Sequence, residues 1–199
     1  SNALIFVVVN CLLFVATTYF INPLCFYLSP VALFVVLGYS LTKRFTALCH
    51  LILGLGLSLA PIGAYLAVTG IFDLLPLLFS FAVLFWVSGF DIIYALQDEE
   101  FDKSQKLHSI PVLMGTKSAM MLSNGLHVLT FAMLTWAGVH GDFGLYFWIG
   151  HGLFSALLVY QHLIVKPTDL SRVNLSFFTT NGLASVLFAV FVLLDIYLS

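Results

Sequence analysis

The densest set of chemically active side chains lies in one stretch, Gly89-Phe90-Asp91-Ile92-Ile93-Tyr94-Ala95-Leu96-Gln97-Asp98-Glu99-Glu100-Phe101-Asp102-Lys103. If the apolar segment that enters it continues as a helix, Asp91, Tyr94, Asp98 and Asp102 fall at i, i+3, i+7 and i+11. Those offsets return to one face of a helix with 3.6 residues per turn. Asp98 and Asp102 then stand one turn, roughly 6 Å, apart, close enough to share a metal or bracket a diphosphate. Asp91 is about 16 Å along the axis from Asp102, too far to bind the same ion. Carboxylate oxygens are hard ligands suited to Mg²⁺, which takes one or two of them and completes its shell with phosphate and water. Lys103 and Lys106 would neutralise further phosphate charge as point cations. The plainer reading is a solvated loop that ends a span, and for Glu99, Glu100 and the lysines the two readings balance. For Asp91 the functional reading leads, because an acid inside an apolar span is costly. Tyr94 reads also as an interfacial belt residue.

The elements that must position these groups are membrane spans. Of 199 residues, 61% are hydrophobic and 8% charged, where a soluble domain carries about 25% charged residues. So few charges cannot cover a water-exposed surface, so lipid is the solvent over most of the chain. The net charge of -2 gives no reason to expect nucleic acid as a partner. Apolar runs separated by polar breaks predict seven spans, at 4–21, 24–39, 46–69, 74–96, 118–138, 144–165 and 174–198. The second is short for a hydrocarbon core that needs about 20 residues. Gly54, Gly56, Pro61 and Gly63 in the third predict close helix packing or a kink. The expected fold is an all-α, polytopic transmembrane helical bundle in a single domain, 1–199.

Orientation follows from the basic residues. Lys43 and Arg44 follow span two, Lys103, Lys106 and Lys117 follow span four, and Lys166 and Arg172 follow span six. The loops after spans one, three and five hold none. The positive-inside rule places the three basic loops in the cytoplasm, with the N-terminus, and the C-terminus on the far side. The longest connection, 97–117, is cytoplasmic on this reading and, with Asp91 just before it, holds eight of the sixteen charged residues, as a functional loop would. Cys11, Cys25 and Cys49 lie in or beside apolar runs without metal or disulfide spacing. His50 and His108 lie near the cytoplasmic side, where they could contact an acceptor carboxylate. His127, His140, His151 and His162 form no metal spacing, and packing or loop roles are the better reading of all six. Ser1-Asn2-Ala3 looks like the remnant of a removed expression tag.

Asp91-x-x-Tyr94-x-x-x-Asp98-x-x-x-Asp102 resembles the second aspartate-rich motif of the UbiA superfamily of membrane aromatic prenyltransferases. Lys106-Leu107-His108-Ser109-Ile110-Pro111 is similar to that family's continuation, and Tyr39-Ser40-Leu41-Thr42-Lys43-Arg44-Phe45-Thr46 to its Tyr-x-x-Thr-Lys-Arg segment. The resemblance implies a bundle around a central cavity, in which Mg²⁺ held by two aspartate-rich motifs binds a prenyl diphosphate. Ionisation gives an allylic carbocation that an aromatic ring attacks. Carried over by position, Asp98 and Asp102 would be the metal or diphosphate ligands, and Asp91 and Tyr94 would line the cavity as catalytic residues. Lys43 and Arg44 would meet phosphate. Asn174 and Asn181 are similar to polar positions of the family's late helices, although interhelical hydrogen bonding explains them as well. The setting implied is a bacterial inner membrane, with a small aromatic acceptor such as 4-hydroxybenzoate on a quinone route, or a naphthoate on a menaquinone route.

The chain departs from that pattern in two ways. The family has nine spans against the seven counted, and no Asn-Asp-x-x-Asp-x-x-x-Asp motif is present. Loss of the first two helices would explain both and would preserve orientation, so the expectation is a fragment inactive by itself. A transporter or channel subunit, with Asp91 on an ion path, is the alternative of a different class. A purely structural bundle is a third.

Overall fold

The computed structural model describes residues 2–199. The chain forms α1 (Asn2–Ile21), α2 (Pro23–Thr42), α3 (Cys49–Thr69), α4 (Leu74–Ala95), the short α5 (Glu99–Ser104), α6 (Ile110–His140), α7 (Leu145–Ile164) and α8 (Asn181–Leu198). A 3₁₀ turn, Leu96–Asp98, joins α4 to α5, and a π-helical turn, Leu175–Thr180, leads into α8. No strand occurs among the described residues; Lys166 and Asp169 pair only in an isolated bridge. The all-α bundle expected from the sequence is the observed fold. Six helical segments are long and apolar enough to cross a membrane. The fifth expected span, 118–138, corresponds to α6, whose 31 residues include Ser123, Asn124, His127 and Thr130 and fall outside that set. Gly115, at φ 77° and ψ 160°, breaks the helix near its start.

Local chemistry sets the helix ends. Asn22 caps α2 by accepting the Cys25 N–H at 2.9 Å, with Pro23 in the first turn, where its missing N–H costs nothing. The Asn22 amide also donates to the Leu66 carbonyl at 2.8 Å, tying α2 to the end of α3. The second span runs 20 residues, Pro23–Thr42, longer than the 24–39 expected from the sequence. Ser40 and Thr42 satisfy their hydroxyls within the helix by donating to the Leu37 and Tyr39 carbonyls. Ser109 caps α6 through the Val112 N–H at 3.4 Å, with Pro111 just inside. That gives the Ser-Ile-Pro sequence a structural purpose. Asp73 caps α4, and its carboxyl is held below the usual range mainly by the Leu75 N–H, then by the Tyr65 hydroxyl. The start of α7 is capped from another helix: Asp195 of α8 accepts the N–H groups of Gly144 at 2.8 Å and Phe147 at 3.1 Å.

The centre of the bundle is α4, which packs between α3 and α6. Small residues permit the close approach. A Cβ on Gly54 would meet the Leu84 carbonyl oxygen at 2.5 Å. At Pro61 the next N–H, of Ile62, donates to the Ser80 hydroxyl at 3.2 Å, so α4 satisfies the helix where proline disturbs it. By contrast α1 and α2 bury only Thr18 and Ser29 and present apolar side chains outward. The three basic loops meet at one end. The His108 N–H donates to the Lys43 carbonyl at 2.7 Å, and Ala47, Leu96, Ile110, Leu170 and Val173 share one hydrophobic cluster.

Candidate active site

The acidic stretch lies at the basic-loop end, but not on one continuous helix. The helix α4 ends at Ala95, and the 3₁₀ turn Leu96–Asp98 advances fewer residues per turn before α5 begins. The single stripe expected from the sequence is therefore broken. Leu96 is buried in the core cluster while Asp98 is exposed, and Asp102 is again fully buried, at 0% exposure. Nothing in Leu96-Gln97-Asp98 breaks a helix by composition. The turn lets Leu96 reach the core and Asp102 reach its partner.

That partner is Lys43, at the end of α2. Its Nζ lies 2.8 Å from Asp102 Oδ1, with the lysine side chain 31% exposed. The contact is a charge pair rather than an aligned hydrogen bond, and neither carboxylate oxygen of Asp102 has a hydrogen-bond partner. A buried carboxylate with an unused oxygen is expensive. Lys103 pairs with Glu99 at 2.6 Å, and Glu99 also accepts the Thr116 hydroxyl at 2.8 Å. The Thr116 contact tethers α5 to α6. Arg44 and Lys106 are exposed, and Lys106 turns the chain at φ 54°.

Deeper in the bundle, Asp91 accepts a hydrogen bond from His50 Nδ1 at 2.7 Å. Tyr94 stands one turn further along α4, its ring 4.1 Å from that of Phe177 between centroids. Phe90 also meets Phe177, edge to face. Asn181 starts α8 and is buried; its side-chain oxygen accepts from Gln161 Nε2 and from Trp86 Nε1, the latter at 3.3 Å. Gln161 Nε2 also donates to the Ser176 carbonyl at 3.4 Å. These donors fix both amide orientations, leaving Asn181 Nδ2 and Gln161 Oε1 without partners. Asn174 lies just ahead of the π-helical turn. An apolar cavity of about 580 Å³ opens among α1, α2 and α3, reaching from Phe14 to Gly56 and Phe72.

Five of the nine sequence-selected residues fall into three groups, while Asp98, Arg44 and Lys106 are exposed and Lys103 pairs with Glu99. Lys43 and Asp102 are in contact, Asp91 and Tyr94 share a face of α4, and Asn181 belongs to a separate buried cluster. Sequence reasoning missed His50, Gln161 and Trp86 as partners. Each sits in an apolar run where only the packing of distant helices reveals a role.

The sequence profile of the UbiA prenyltransferase family matches residues 1–192. The chain belongs to the UbiA prenyltransferase family. Among curated relatives, it is 31% identical over 179 residues to a 4-hydroxybenzoate octaprenyltransferase of Francisella tularensis subsp. mediasiatica (strain FSC147), covering 87% of this chain and 61% of that one. It is 30% identical over 171 residues to the protein of that name from Nitrosomonas europaea, covering 85% and 58%. The chain thus spans about 60% of the length of the curated relatives it matches. A solved structure described as the apo structure of a UbiA homolog from Aeropyrum pernix K1 superposes with a TM-score of 0.87 and 28% identity. That match covers 98% of this chain and 72% of the other.

The family's chemistry can be tested against the donors on hand. Among the described residues no three His, Cys, Asp or Glu side chains gather into a metal cage. What is present is an exposed carboxylate, Asp98, one turn from a buried one whose Oδ2 has no partner. Hard oxygen donors in that number suit an ion that takes most of its shell from phosphate and water.

Proposed function

We propose that this chain carries one acidic half of a site that transfers a polyprenyl group from a prenyl diphosphate to a small aromatic acceptor such as 4-hydroxybenzoate. The unpartnered Oδ2 of buried Asp102, whose other oxygen meets Lys43 at the basic end of the bundle, is the observation that carries this reading. Asp98 and Asp102 would hold Mg²⁺, which when bound offsets the charge that grows on the diphosphate leaving group. Arg44 and Lys106, exposed at the same end, would meet phosphate, with Lys103 drawn off toward Glu99. Asp91 and Tyr94 face the acceptor. The rings of Tyr94, Phe90 and Phe177 offer π-faces that stabilise positive charge on the substrate. The cavity among α1, α2 and α3 suits the apolar prenyl chain, and a dry wall protects a reactive cation from water. The basic loops are cytoplasmic in a bacterial inner membrane on this reading, and the names of the relatives favour a hydroxybenzoate acceptor on a quinone route.

The test is binding of farnesyl diphosphate to the protein in lipid nanodiscs, with Mg²⁺ and with EDTA. Binding should require Mg²⁺ and fall at least tenfold in Asp98→Ala and in Asp102→Asn while unfolding stays cooperative. Binding that is indifferent to Mg²⁺ and to both substitutions would overturn the reading.

A further inference from the structure

His50 and Asp91 form a pair whose direction can be read from burial. In the familiar serine-hydrolase arrangement the carboxylate is buried and the imidazole works. Here the order is reversed: the His50 side chain is 3% exposed and that of Asp91 is 21% exposed. The carboxylate is the member that a substrate can reach.

The other imidazole nitrogen is also engaged. The Ile110 N–H, at the start of α6, donates to His50 Nε2 at 3.3 Å. An acceptor at Nε2 needs a lone pair there, so the proton sits on Nδ1 and points at Asp91 Oδ2. His50 therefore joins three helices: its own α3, α4 through Asp91, and α6 through one of the N–H groups a helix start leaves unpaired. The Ile110 end is held independently. The His108 N–H donates to the Lys43 carbonyl at 2.7 Å, the Cys49 thiol meets the His108 carbonyl at 3.6 Å, and Ser109 caps the helix. The imidazole is braced on a fixed frame and passes that fixity to the carboxylate.

We propose that His50 is the positioning residue for Asp91. As the Nδ1–H tautomer it locks one carboxylate oxygen and leaves the other directed at the aromatic acceptor, beside Tyr94. This inference rests on the prenyl-transfer reading above. A neutral imidazole orients the carboxylate without cancelling its charge, which a lysine at the same place would do. The functional cost of losing it is misplacement, and misplacing a reacting group by about 1 Å costs on the order of 100-fold.

The experiment compares His50→Leu, His50→Gln and Asp91→Asn in the native protein in nanodiscs. The probes are farnesyl diphosphate and 4-hydroxybenzoate. Asp91→Asn and His50→Leu should each lower kcat by roughly 10- to 100-fold with KM little changed. His50→Gln should recover most of the activity, because its amide can donate to Asp91 and accept from Ile110. A merely structural role would lower activity only with the folded fraction, read from the unfolding midpoint. In parallel, ¹⁵N NMR of His50 should show the proton on Nδ1, with the Nε2 lone pair free of a proton. The inference is overturned if His50→Leu keeps wild-type kcat, if His50→Gln is no better than His50→Leu, or if the proton lies on Nε2. If the unsubstituted protein, which carries one acidic half of the site, transfers no prenyl group, the functional reading is judged by the Mg²⁺-dependent binding above. The tautomer, and its loss of definition in Asp91→Asn, then still decide whether His50 holds Asp91.

Discussion

Lys43→Met would leave Asp102 as an unpaired charge inside the protein. The pair is 2.8 Å apart, with Asp102 fully buried and Lys43 31% exposed. Two unit charges at that distance attract by about 6 kcal/mol at an effective dielectric of about 20. Burial of the carboxylate takes back several kcal/mol of that. What remains measurable is the cost of breaking the pair, roughly 3–5 kcal/mol for a buried one. The partial exposure of Lys43 lets water reach its end of the pair, so the expected loss sits at the low end, about 3 kcal/mol. Removing both charges should cost much less than removing one. Lys43→Met with Asp102→Leu should therefore lie within about 1 kcal/mol of wild type. The assay is SDS-driven unfolding in mixed micelles followed by tryptophan fluorescence, with the four proteins of the cycle measured together. A Lys43→Met protein within about 0.5 kcal/mol of wild type, or a coupling below that value, would refute the argument. Asp102 would then not depend on Lys43, and the reason for the 3₁₀ turn would fall with it.

Gly54→Ala should cost about 1–3 kcal/mol by forcing α3 from the Leu84 carbonyl, whereas Gly63→Ala, which meets nothing within 4 Å, should be neutral or slightly stabilising; the same SDS titration separates them. Asp195→Ala should lower the unfolding temperature and speed amide exchange at Gly144 and Phe147, since it removes the acceptor for both N–H groups. Asp169 is held below the usual carboxylate range, first by the Ser171 side chain and then by the Ser171 N–H at 3.0 Å. A lowered value means the contribution of this group is complete above the ordinary aspartate value of about 3.9 and fades as pH falls through the lowered one. Asp169→Asn should therefore flatten the acid limb of the stability profile, and an unchanged limb would count against the assignment.

The sequence by itself determined the solvent, the spans and the placement of charge. Hydropathy alone places most of the helices, because a backbone in hydrocarbon must bond to itself, although α6 begins eight residues before the span expected at 118. The regular placement of Lys and Arg after spans two, four and six foretold that those loops gather at one end, as Lys43, His108 and Val173 do. The acidic motif and its Lys-Arg companion were enough to suggest the family. Partner choice was decided only by the tertiary structure. Asp91 finds His50 from 41 residues away and Asp102 finds Lys43, neither pairing having any local signal. Asn181 finds Gln161 and Trp86 in the same way. In a soluble helix an apolar stripe would mark the inward face. Here lipid-facing and core-facing sides are equally apolar, so the rotation of each helix is hidden from sequence. The turn at Leu96–Asp98 follows from the same cause. Three residues with no breaker among them leave the α-helical path because Leu96 is drawn into the core and Asp102 to Lys43, and both anchors lie outside the local sequence.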